Sequence, residues 1–219
     1  MTALLDGPRW GPASGKTPRK LVVLLHGLGA DGFDLIDLAP TWGEAVPDAL
    51  FVAPHAPDPC DVAPHGRQWF SVGDRSDTQR LAGTRAASVA LDAFLDAEAA
   101  RLGIGMPDVA LMGFSQGAMM ALFTGLRRDP GPAAILAFSG RLVGRDLLAA
   151  ELRSRPPVLL VHGEADDVVP VAESRLAEVA LREAGVPVEA AFRPGLAHGI
   201  DEHGIALGAH LLSARLGAA

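Results

Sequence analysis

Residues 109–117 read Val-Ala-Leu-Met-Gly-Phe-Ser-Gln-Gly and give the clearest structural signal in this 219-residue chain. The apolar run Val109–Met112 predicts a buried strand, and the apolar run that begins at Ala118 predicts a helix. Between them, Gly113-Phe-Ser-Gln-Gly117 matches the G-x-S-x-G pattern, in which a serine lies on a sharp, exposed turn from strand to helix. Flanking glycines leave room for such a turn, so we predict that Ser115 is a nucleophile. An ordinary serine in a glycine-rich turn is the alternative.

Apolar runs alternate with helix-like segments along the rest of the chain. Continuous apolar runs are typical of strands that helices cover on both faces, so the alternation predicts a doubly wound, mostly parallel α/β sheet. No repeat or linker interrupts it, and we expect one domain, residues 1–219. The predicted strands are Leu21–Leu25, Leu50–Ala53, Val109–Met112, Ala134–Phe138, Val158–Val161 and Val188–Phe192. The predicted helices are Phe33–Glu44, Thr78–Leu102, Gln116–Arg128, Val171–Ala184 and Asp201–Leu216, the second with an apolar stripe at Ala82, Ala86, Val89, Ala90, Ala93 and Phe94.

The composition excludes several classes of protein. With 49% hydrophobic and 21% charged residues, the chain is able to bury a substantial core. A net charge of −7 without a basic stripe disfavours nucleic acids and anionic lipid surfaces as partners. The single cysteine, Cys60, cannot form an intrachain disulfide. The segment Met1–Trp10 lacks the apolar stretch of a signal peptide and no run is long enough to span a bilayer, so we expect a cytoplasmic protein without stable membrane insertion.

One long irregular segment, Pro54–Asp77, interrupts the pattern of strands and helices. It has four prolines before Gln68, which excludes a helix or a central strand there. Because it follows the carboxyl end of a predicted strand, where open α/β sheets bind ligands, we expect this loop to be functional. A zinc site in this loop is the alternative, with His55, Cys60, Asp61 and His65 as candidate ligands. Their spacing matches no zinc motif, so we expect no metal.

A serine nucleophile needs a base, and the base needs a carboxylate that orients it. In folds with a G-x-S-x-G turn, the acid and then the histidine follow the serine along the chain. His198 lies in a glycine-flanked loop after the last predicted strand and is the candidate base, whereas His203 and His210 fall on or near the last helix. Each carboxylate in the loop after Val158–Val161 is a candidate acid or a solvated loop charge; there are three, Glu164, Asp166 and Asp167.

The oxyanion that forms during acyl transfer needs two hydrogen-bond donors. One is expected from the backbone N–H of the residue after the nucleophile, here Gln116, and the other from a loop after an earlier strand. The glycine-rich sequence His26-Gly-Leu-Gly-Ala-Asp-Gly32 follows the strand Leu21–Leu25 and predicts Leu28 as the second donor. A plain strand-to-helix turn is the alternative. His26 itself precedes the serine, and we expect a structural role for it.

These motifs, taken together and in order, resemble the phospholipase/carboxylesterase family, the small α/β-hydrolases that include acyl-protein thioesterases and bacterial carboxylesterases. The resemblance extends from about Gly11 to Leu212. It implies an α/β-hydrolase fold without a large cap domain, and an esterase that uses no cofactor. The motifs are Leu25-His-Gly-Leu-Gly29, Ala53-Pro-His-Ala-Pro57, Gln68-Trp-Phe70, Gly113-Phe-Ser-Gln-Gly117, His162-Gly163, Asp166, Val169-Pro170 and His198-Gly199.

The same resemblance implies roles for individual residues. It assigns the acid to Asp166 and the base to His198. It places the oxyanion donors at the N–H groups of Leu28 and Gln116. It also implies that a tryptophan of the long loop, Trp69, lines the acyl pocket.

The sequence therefore predicts a serine carboxylesterase that hydrolyses short- to medium-chain acyl esters through an acyl-enzyme intermediate, with lysophospholipids or thioesters as further substrates. Trp69 and Phe70 would form an apolar wall for the acyl chain, unless both are simply core aromatics. The proline-rich segment Asp58–Gly66 is more like the bacterial esterases than the thioesterases.

Two competing functions remain: a binding module that has lost catalysis, and a serine peptidase or amidase. The expected partner is a small-molecule ester, and a homodimer is compatible with the sequence.

Overall fold

A seven-stranded sheet forms the centre of the computed structural model, which describes residues 5–74 and 76–217. Three parts of the regions discussed above lie outside the described residues: residues 1–4 of the segment Met1–Trp10, Arg75 in the loop Pro54–Asp77, and residues 218–219 of the expected domain. The strands are, in chain order, β1 (Arg9–Trp10), β2 (Lys20–Leu25), β3 (Ala49–Val52), β4 (Asp58–Pro59), β5 (Arg67–Gln68), β6 (Val109–Phe114), β7 (Ala134–Phe138), β8 (Val158–Gly163) and β9 (Val188–Arg193).

The order of strands in the main sheet is β1-β3-β2-β6-β7-β8-β9, while β4 and β5 form a separate antiparallel pair. Within the described part of the main sheet, β1 alone runs antiparallel to its neighbour, and the other pairs are parallel. Leu25 at the end of β2 lies opposite Gly113 of β6, and Phe138 at the end of β7 lies opposite Val161 of β8. The carboxyl ends of four neighbouring strands therefore meet at one edge of the sheet.

Helices cover both faces of this sheet, which confirms the predicted α/β-hydrolase fold. They are α1 (Gly32–Ile36), α2 (Ala39–Ala45), α3 (Asp77–Leu102), α4 (Gln116–Leu126), α5 (Leu148–Glu151), α6 (Ala172–Glu183) and α7 (Glu202–Leu216), with short 3₁₀ helices at Met106–Asp108 and Arg145–Leu147. Helices α3, α4 and α6 pack on one face and α1, α2 and α7 on the other, so that successive residues of β2 point into different cores. Among the described residues, no helix combines the length and hydropathy needed to cross a bilayer.

The single helix predicted at Phe33–Glu44 is wrong, because two short helices, α1 and α2, occupy this segment. Pro40 lies in the first turn of α2, where its missing N–H costs nothing, but in one continuous helix it would leave the carbonyl of Ile36, four residues earlier, without a donor. Strands β1, β4 and β5 were not predicted either. Each has only two residues, too few for a periodic pattern in the sequence.

The predicted apolar stripe of α3 is also wrong. Of its six residues only Phe94 is buried, and Val89 is 69% exposed. The buried face instead includes Leu91, Phe94 and Leu95. Because an alanine side chain carries little apolar area, alanines around a helix do not select a face, and the larger residues decide which side packs.

Helix α3 contains a buried carboxylate, Glu98, whose side chain is only 8% exposed. Arg9 of β1 donates to both of its oxygens, over 2.7 and 2.8 Å, and Arg101 donates to the same group. The hydrogen bonds from Arg9 are the largest cause of a pKa of about 2 for Glu98, below the ordinary 4.5. This charged pair joins the edge strand of the sheet to the helix that packs across it.

Candidate active site

Ser115 lies between β6 and α4 in a strained backbone conformation, with φ 54° and ψ −115°. Non-glycine residues rarely adopt such a positive φ, and strain of this kind is concentrated at functional sites. The flanking glycines are required: a Cβ at Gly117 would lie 1.9 Å from the carbonyl oxygen of Leu25, and one at Gly113 would lie 2.2 Å from Gly117. The predicted turn from strand to helix is therefore present. Ser115 is 8% exposed, less than its position in an exposed turn suggests.

Asp166 and His198 are brought together at the same edge of the sheet. His198 Nδ1 lies 2.7 Å from Asp166 Oδ2, and the backbone N–H groups of Val168 and Val169 donate to Asp166 Oδ1. Burial raises the pKa of Asp166, but the hydrogen bonds from His198, Val169 and Val168 outweigh it, so the pKa lies below its ordinary value. The carboxylate therefore stays ionised and holds the imidazole through Nδ1.

The other candidate acids and bases lie elsewhere. Glu164 is exposed and pairs with Arg175, and Asp167 points to solvent. His203 and His210 are exposed on α7. Of the acids left open by the sequence, only Asp166 is hydrogen-bonded to a histidine of the site.

The histidine ring lies beside the serine turn, since the rings of His198 and Phe114 are 4.8 Å apart between centroids. Among the described residues no hydrogen bond joins Ser115 Oγ to His198, and Nε2 of this imidazole has no partner either. Such contacts are often long in the absence of substrate and shorten when the substrate binds. The imidazole is oriented by Asp166 and its second nitrogen remains available.

Two backbone N–H groups near the serine have no acceptor among the described residues. One belongs to Leu28 in the loop after β2, and the other to Gln116 at the start of α4, where the first N–H groups of a helix have no intrahelical acceptor. The two loops are in contact, because a Cβ at Gly27 would lie 3.5 Å from Ser115 Cβ. Unpaired donors of this kind are suited to an anionic oxygen.

The long loop is bonded to the start of α4 through the side chain of Gln116, and to the loop after β2 through the indole of Trp69. The amide oxygen accepts from the backbone N–H of Trp69 over 2.8 Å, and the amide nitrogen donates to the carbonyl of Phe70 over 2.7 Å. The indole of Trp69 donates in turn to the carbonyl of His26 over 3.0 Å. Trp69 is 1% and Phe70 5% exposed, so both are part of the core, and their role as a wall of the acyl pocket stays a prediction.

His26 connects the loop after β2 to the long loop. Its Nε2 accepts from the backbone N–H of Ala56 over 3.0 Å, so in the neutral ring Nδ1 carries the hydrogen and donates to the carbonyl of Gly27 over 2.7 Å. Burial is the main cause of a lowered pKa, which keeps the ring neutral. Both nitrogens are occupied by backbone groups, in agreement with the structural role expected for His26.

Two residues of the zinc alternative, His55 and Asp61, have other partners. His55 Nδ1 accepts from the backbone N–H of Gly32, and Asp61 accepts from the hydroxyl of Ser71. In the part of the chain that the structure describes, no three His, Cys, Asp or Glu side chains are grouped as metal ligands.

The sequence did not reveal the contacts of two polar side chains in this region. One is the amide of Gln116, for which only the backbone N–H was considered. The other is His162, which is fully buried at the end of β8 with Nε2 3.1 Å from Asp166 Oδ2. His162 appeared in the sequence as part of the His162-Gly163 motif and as a polar residue near the end of an otherwise apolar strand, but neither signal indicated its contact with Asp166. For Gln116 the sequence offered no signal.

A sequence profile of the phospholipase/carboxylesterase family matches residues 12–214. The chain belongs to this family. An esterase of Escherichia coli K12, YpfH, is 32% identical over 187 residues, which are 85% of this chain and 78% of that protein. Acyl-protein thioesterase 1 of Neurospora crassa is 29% identical over 194 residues, 81% of this chain and 79% of that protein. The crystal structure of esterase PE8 is similar with a TM-score of 0.93 and 45% identity, covering 98% of this chain and all of that one.

Membership of the phospholipase/carboxylesterase family makes the protein an esterase-family hydrolase. It also agrees with the fold, since a mostly parallel sheet with helices on both faces is shared with esterase PE8.

Proposed function

We propose that this chain is a serine carboxylesterase that hydrolyses short- to medium-chain acyl esters, with Ser115 as nucleophile, His198 as base and Asp166 as the acid. The observation that carries the proposal is the 2.7 Å contact between His198 Nδ1 and Asp166 Oδ2, beside a serine in a strained turn. A carboxylate that holds a histidine through Nδ1 leaves Nε2 free to accept a proton. Membership of the family supports an ester as substrate.

In the proposed reaction, Ser115 Oγ attacks the carbonyl carbon of the ester while its proton passes to His198 Nε2. The bond to the alcohol oxygen then breaks, and His198 returns the proton to the leaving oxygen. Water attacks the resulting acyl-enzyme and gives a proton to His198. The bond between the acyl carbon and Ser115 Oγ breaks, and the serine recovers the proton as the carboxylic acid leaves.

The electrostatics of the site support these steps. The low pKa of Asp166 keeps a negative charge next to the imidazolium that forms at His198. The free N–H groups of Leu28 and Gln116 are the proposed oxyanion donors, and the positive end of the α4 dipole lies at the same place. Because these donors are fixed by the backbone, they stabilise the developing charge without reorganisation.

The substrate range is part of the proposal. Trp69 and Phe70 expose little surface and so offer little apolar area to an acyl chain; because each methylene gains only where it is buried, we propose a preference for short and medium chains. A relative named as an acyl-protein thioesterase supports thioesters as further substrates, and lysophospholipids remain within the proposed range. A set of esters that differ only in acyl length tests the first point, and a thioester of the same acyl group tests the second.

The remaining parts of the proposal concern the whole chain. We propose a single catalytic domain over residues 1–219, which the continuous sheet from Arg9 to Arg193 supports. We also propose a cytoplasmic protein, since one cysteine suits a reducing compartment. A homodimer stays a prediction, and light scattering after size-exclusion chromatography tests it.

The decisive experiment assays the purified protein on p-nitrophenyl acetate, butanoate and octanoate, and on a peptide p-nitroanilide, each with and without EDTA. We expect turnover of the esters, little turnover of the anilide and no effect of EDTA. A fluorophosphonate probe should label Ser115, as located by mass spectrometry of peptides, and should leave the fully buried Ser139 unlabelled. Absence of ester turnover, or labelling at another serine, contradicts the proposal. Faster turnover of the anilide favours the peptidase alternative.

A further inference from the structure

His162 is a second imidazole in contact with the acid of the proposed triad. It lies at the penultimate position of β8, four residues before Asp166, and both side chains have no exposed surface. Its Nε2 lies 2.8 Å from the carbonyl oxygen of Val169 and 3.1 Å from Asp166 Oδ2. Its Nδ1 lies 2.7 Å from the hydroxyl of Ser174 in α6.

These contacts determine which nitrogen carries the hydrogen. Both atoms near Nε2 are acceptors without a hydrogen of their own, so Nε2 must be the donor. In the neutral ring Nδ1 is then an acceptor, and the Ser174 hydroxyl supplies the hydrogen. The geometry agrees, because Ser174 Oγ is 2.7 Å from Nδ1 but 3.3 Å from its other neighbour, the carbonyl of Gly140.

The hydrogen bond from Nε2 closes the turn that encloses the acid. Val169 donates its N–H to Asp166 Oδ1, and its carbonyl accepts from His162 Nε2. His162 Nε2 also lies 3.1 Å from Asp166 Oδ2, the oxygen that holds His198. His162 therefore acts on the carboxylate in two ways, through the backbone of Val169 and through a direct contact with Oδ2.

We propose that His162 is a positioning residue for the esterase reaction: with a hydrogen on Nε2 and its ring fixed by Ser174, it holds the Asp166 carboxylate in the orientation that aims Oδ2 at His198. The inference rests on the proposed function. A small displacement of the group that orients His198 lowers the reaction rate, because transfer of a proton between Ser115 and His198 requires close alignment.

The test compares two amides at position 162. The longer glutamine side chain in His162→Gln can place an N–H near the position of Nε2, whereas the shorter one in His162→Asn reaches only the region of Nδ1. We expect His162→Asn to lower kcat by about 10- to 100-fold with little change in KM, and His162→Gln to recover most of the loss. All assays run well below the melting temperature of the least stable variant.

A spectroscopic readout keeps the test independent of turnover. The hydrogen between His198 Nδ1 and Asp166 Oδ2 should give a far-downfield proton resonance in the wild type, and His162→Asn should shift or broaden it. If His162→Asn fails to fold, Ser174→Ala takes its place, since it removes the donor to Nδ1 and should lower kcat several-fold. Thr124→Val is the matched control, because the Thr124 hydroxyl is buried without a partner among the described residues.

The possible outcomes separate this inference from the proposed function. Ester turnover that survives Ser115→Ala overturns the proposed function and the positioning role together. Turnover that depends on Ser115 but is unchanged in His162→Asn overturns the positioning role alone. Equal losses in the Asn and Gln variants, with an unchanged resonance, also overturn it, because they indicate a packing defect.

Discussion

The indole N–H of Trp69 donates to the backbone carbonyl of His26 over 3.0 Å. A side chain of the long loop Pro54–Asp77 is thus bonded to the loop after β2, which carries Leu28, one of the two proposed oxyanion donors. The bond gives Trp69 a role that does not require contact with a substrate, and it can be tested apart from the acyl pocket.

Replacing Trp69 by Phe should remove this hydrogen bond while keeping a buried ring. We expect a loss of about 1–3 kcal/mol in the free energy of unfolding, because a buried carbonyl loses its donor. Turnover should fall by a similar factor on acetate, butanoate and octanoate esters. Urea unfolding and the profile of kcat/KM against chain length measure the two effects. A selective rise in KM for octanoate would instead identify Trp69 as a wall of the acyl pocket.

Replacing Gln116 by Met should leave two buried backbone groups of the long loop unpaired, the N–H of Trp69 and the carbonyl of Phe70. We expect the free energy of unfolding to fall by about 2 kcal/mol or more. Turnover should fall as well, although the backbone N–H of residue 116 is unchanged, because the loop then holds the oxyanion donors less firmly. Gln79→Met is the matched control, since Gln79 is exposed on α3. A variant at position 116 that matches this control in stability and turnover would contradict the argument.

Replacing Asp166 by Asn should lower kcat by about 10⁴-fold, because the amide favours the wrong tautomer of His198. Asp167→Asn provides a neighbouring control, since its side chain is exposed. Steady-state kinetics on a p-nitrophenyl ester compare the two. If the loss occurs at Asp167 and not at Asp166, the proposed acid is wrong.

Replacing Ser115 by Ala or Gly should reduce ester turnover by at least about 10³-fold, leaving the contribution of the oxyanion donors and binding. The two variants should differ in stability. Glycine tolerates a φ of 54°, so we expect Ser115→Gly to be more stable than Ser115→Ala, by about 1 kcal/mol. Denaturant unfolding checks the order, and the reverse order would mean that the turn relaxes in the variants.

The pH dependence of stability should show the contribution of Glu98. Its pKa is about 2 in the folded protein and near 4.5 when unfolded, so this contribution is complete above about pH 4.5 and is lost as the pH falls towards 2. Because Arg9 and Arg101 are partly exposed, the contribution is on the order of 1–3 kcal/mol. The free energy of unfolding of the Glu98→Gln variant should therefore vary less with pH over this interval than that of the wild type. If the free energy of unfolding changes equally with pH in the variant and the wild type, Glu98 is not the source of this pH dependence.

The sequence predicted the parts of the fold that depend on local pattern. The six predicted strands are apolar runs, interrupted only by Glu189 in β9, and the serine turn is a short motif with glycines at positions where the structure has no room for a side chain. The edge strand β1 escaped prediction because its pairing with β3 joins residues that are distant along the chain. The break between α1 and α2 was missed because Pro40 was treated as part of one helix rather than as the start of another.

The site was predictable to the extent that its residues belong to motifs. Asp166, His198, Leu28 and Gln116 came from the order of motifs along the chain and from the family resemblance. The contacts of His162 and of the Gln116 side chain were not accessible in this way, since each depends on partners that only the tertiary structure brings close, such as Ser174 in α6 and Phe70 in the long loop.

The long loop is anchored to the loop after β2 at residues 66–67 and is exposed at residues 62–65. Arg67 exchanges backbone hydrogen bonds with Gly29 and Ala30, and a Cβ at Gly66 would lie 2.1 Å from the carbonyl oxygen of Gly29. Residues 62–65, between β4 and β5, are partly or fully exposed and contact the loop after β2 through Ala63. Substitutions at these four positions, in evolution or in a directed-evolution library, can therefore change the surface that substrates meet first. They leave the residues proposed to carry out the reaction unchanged.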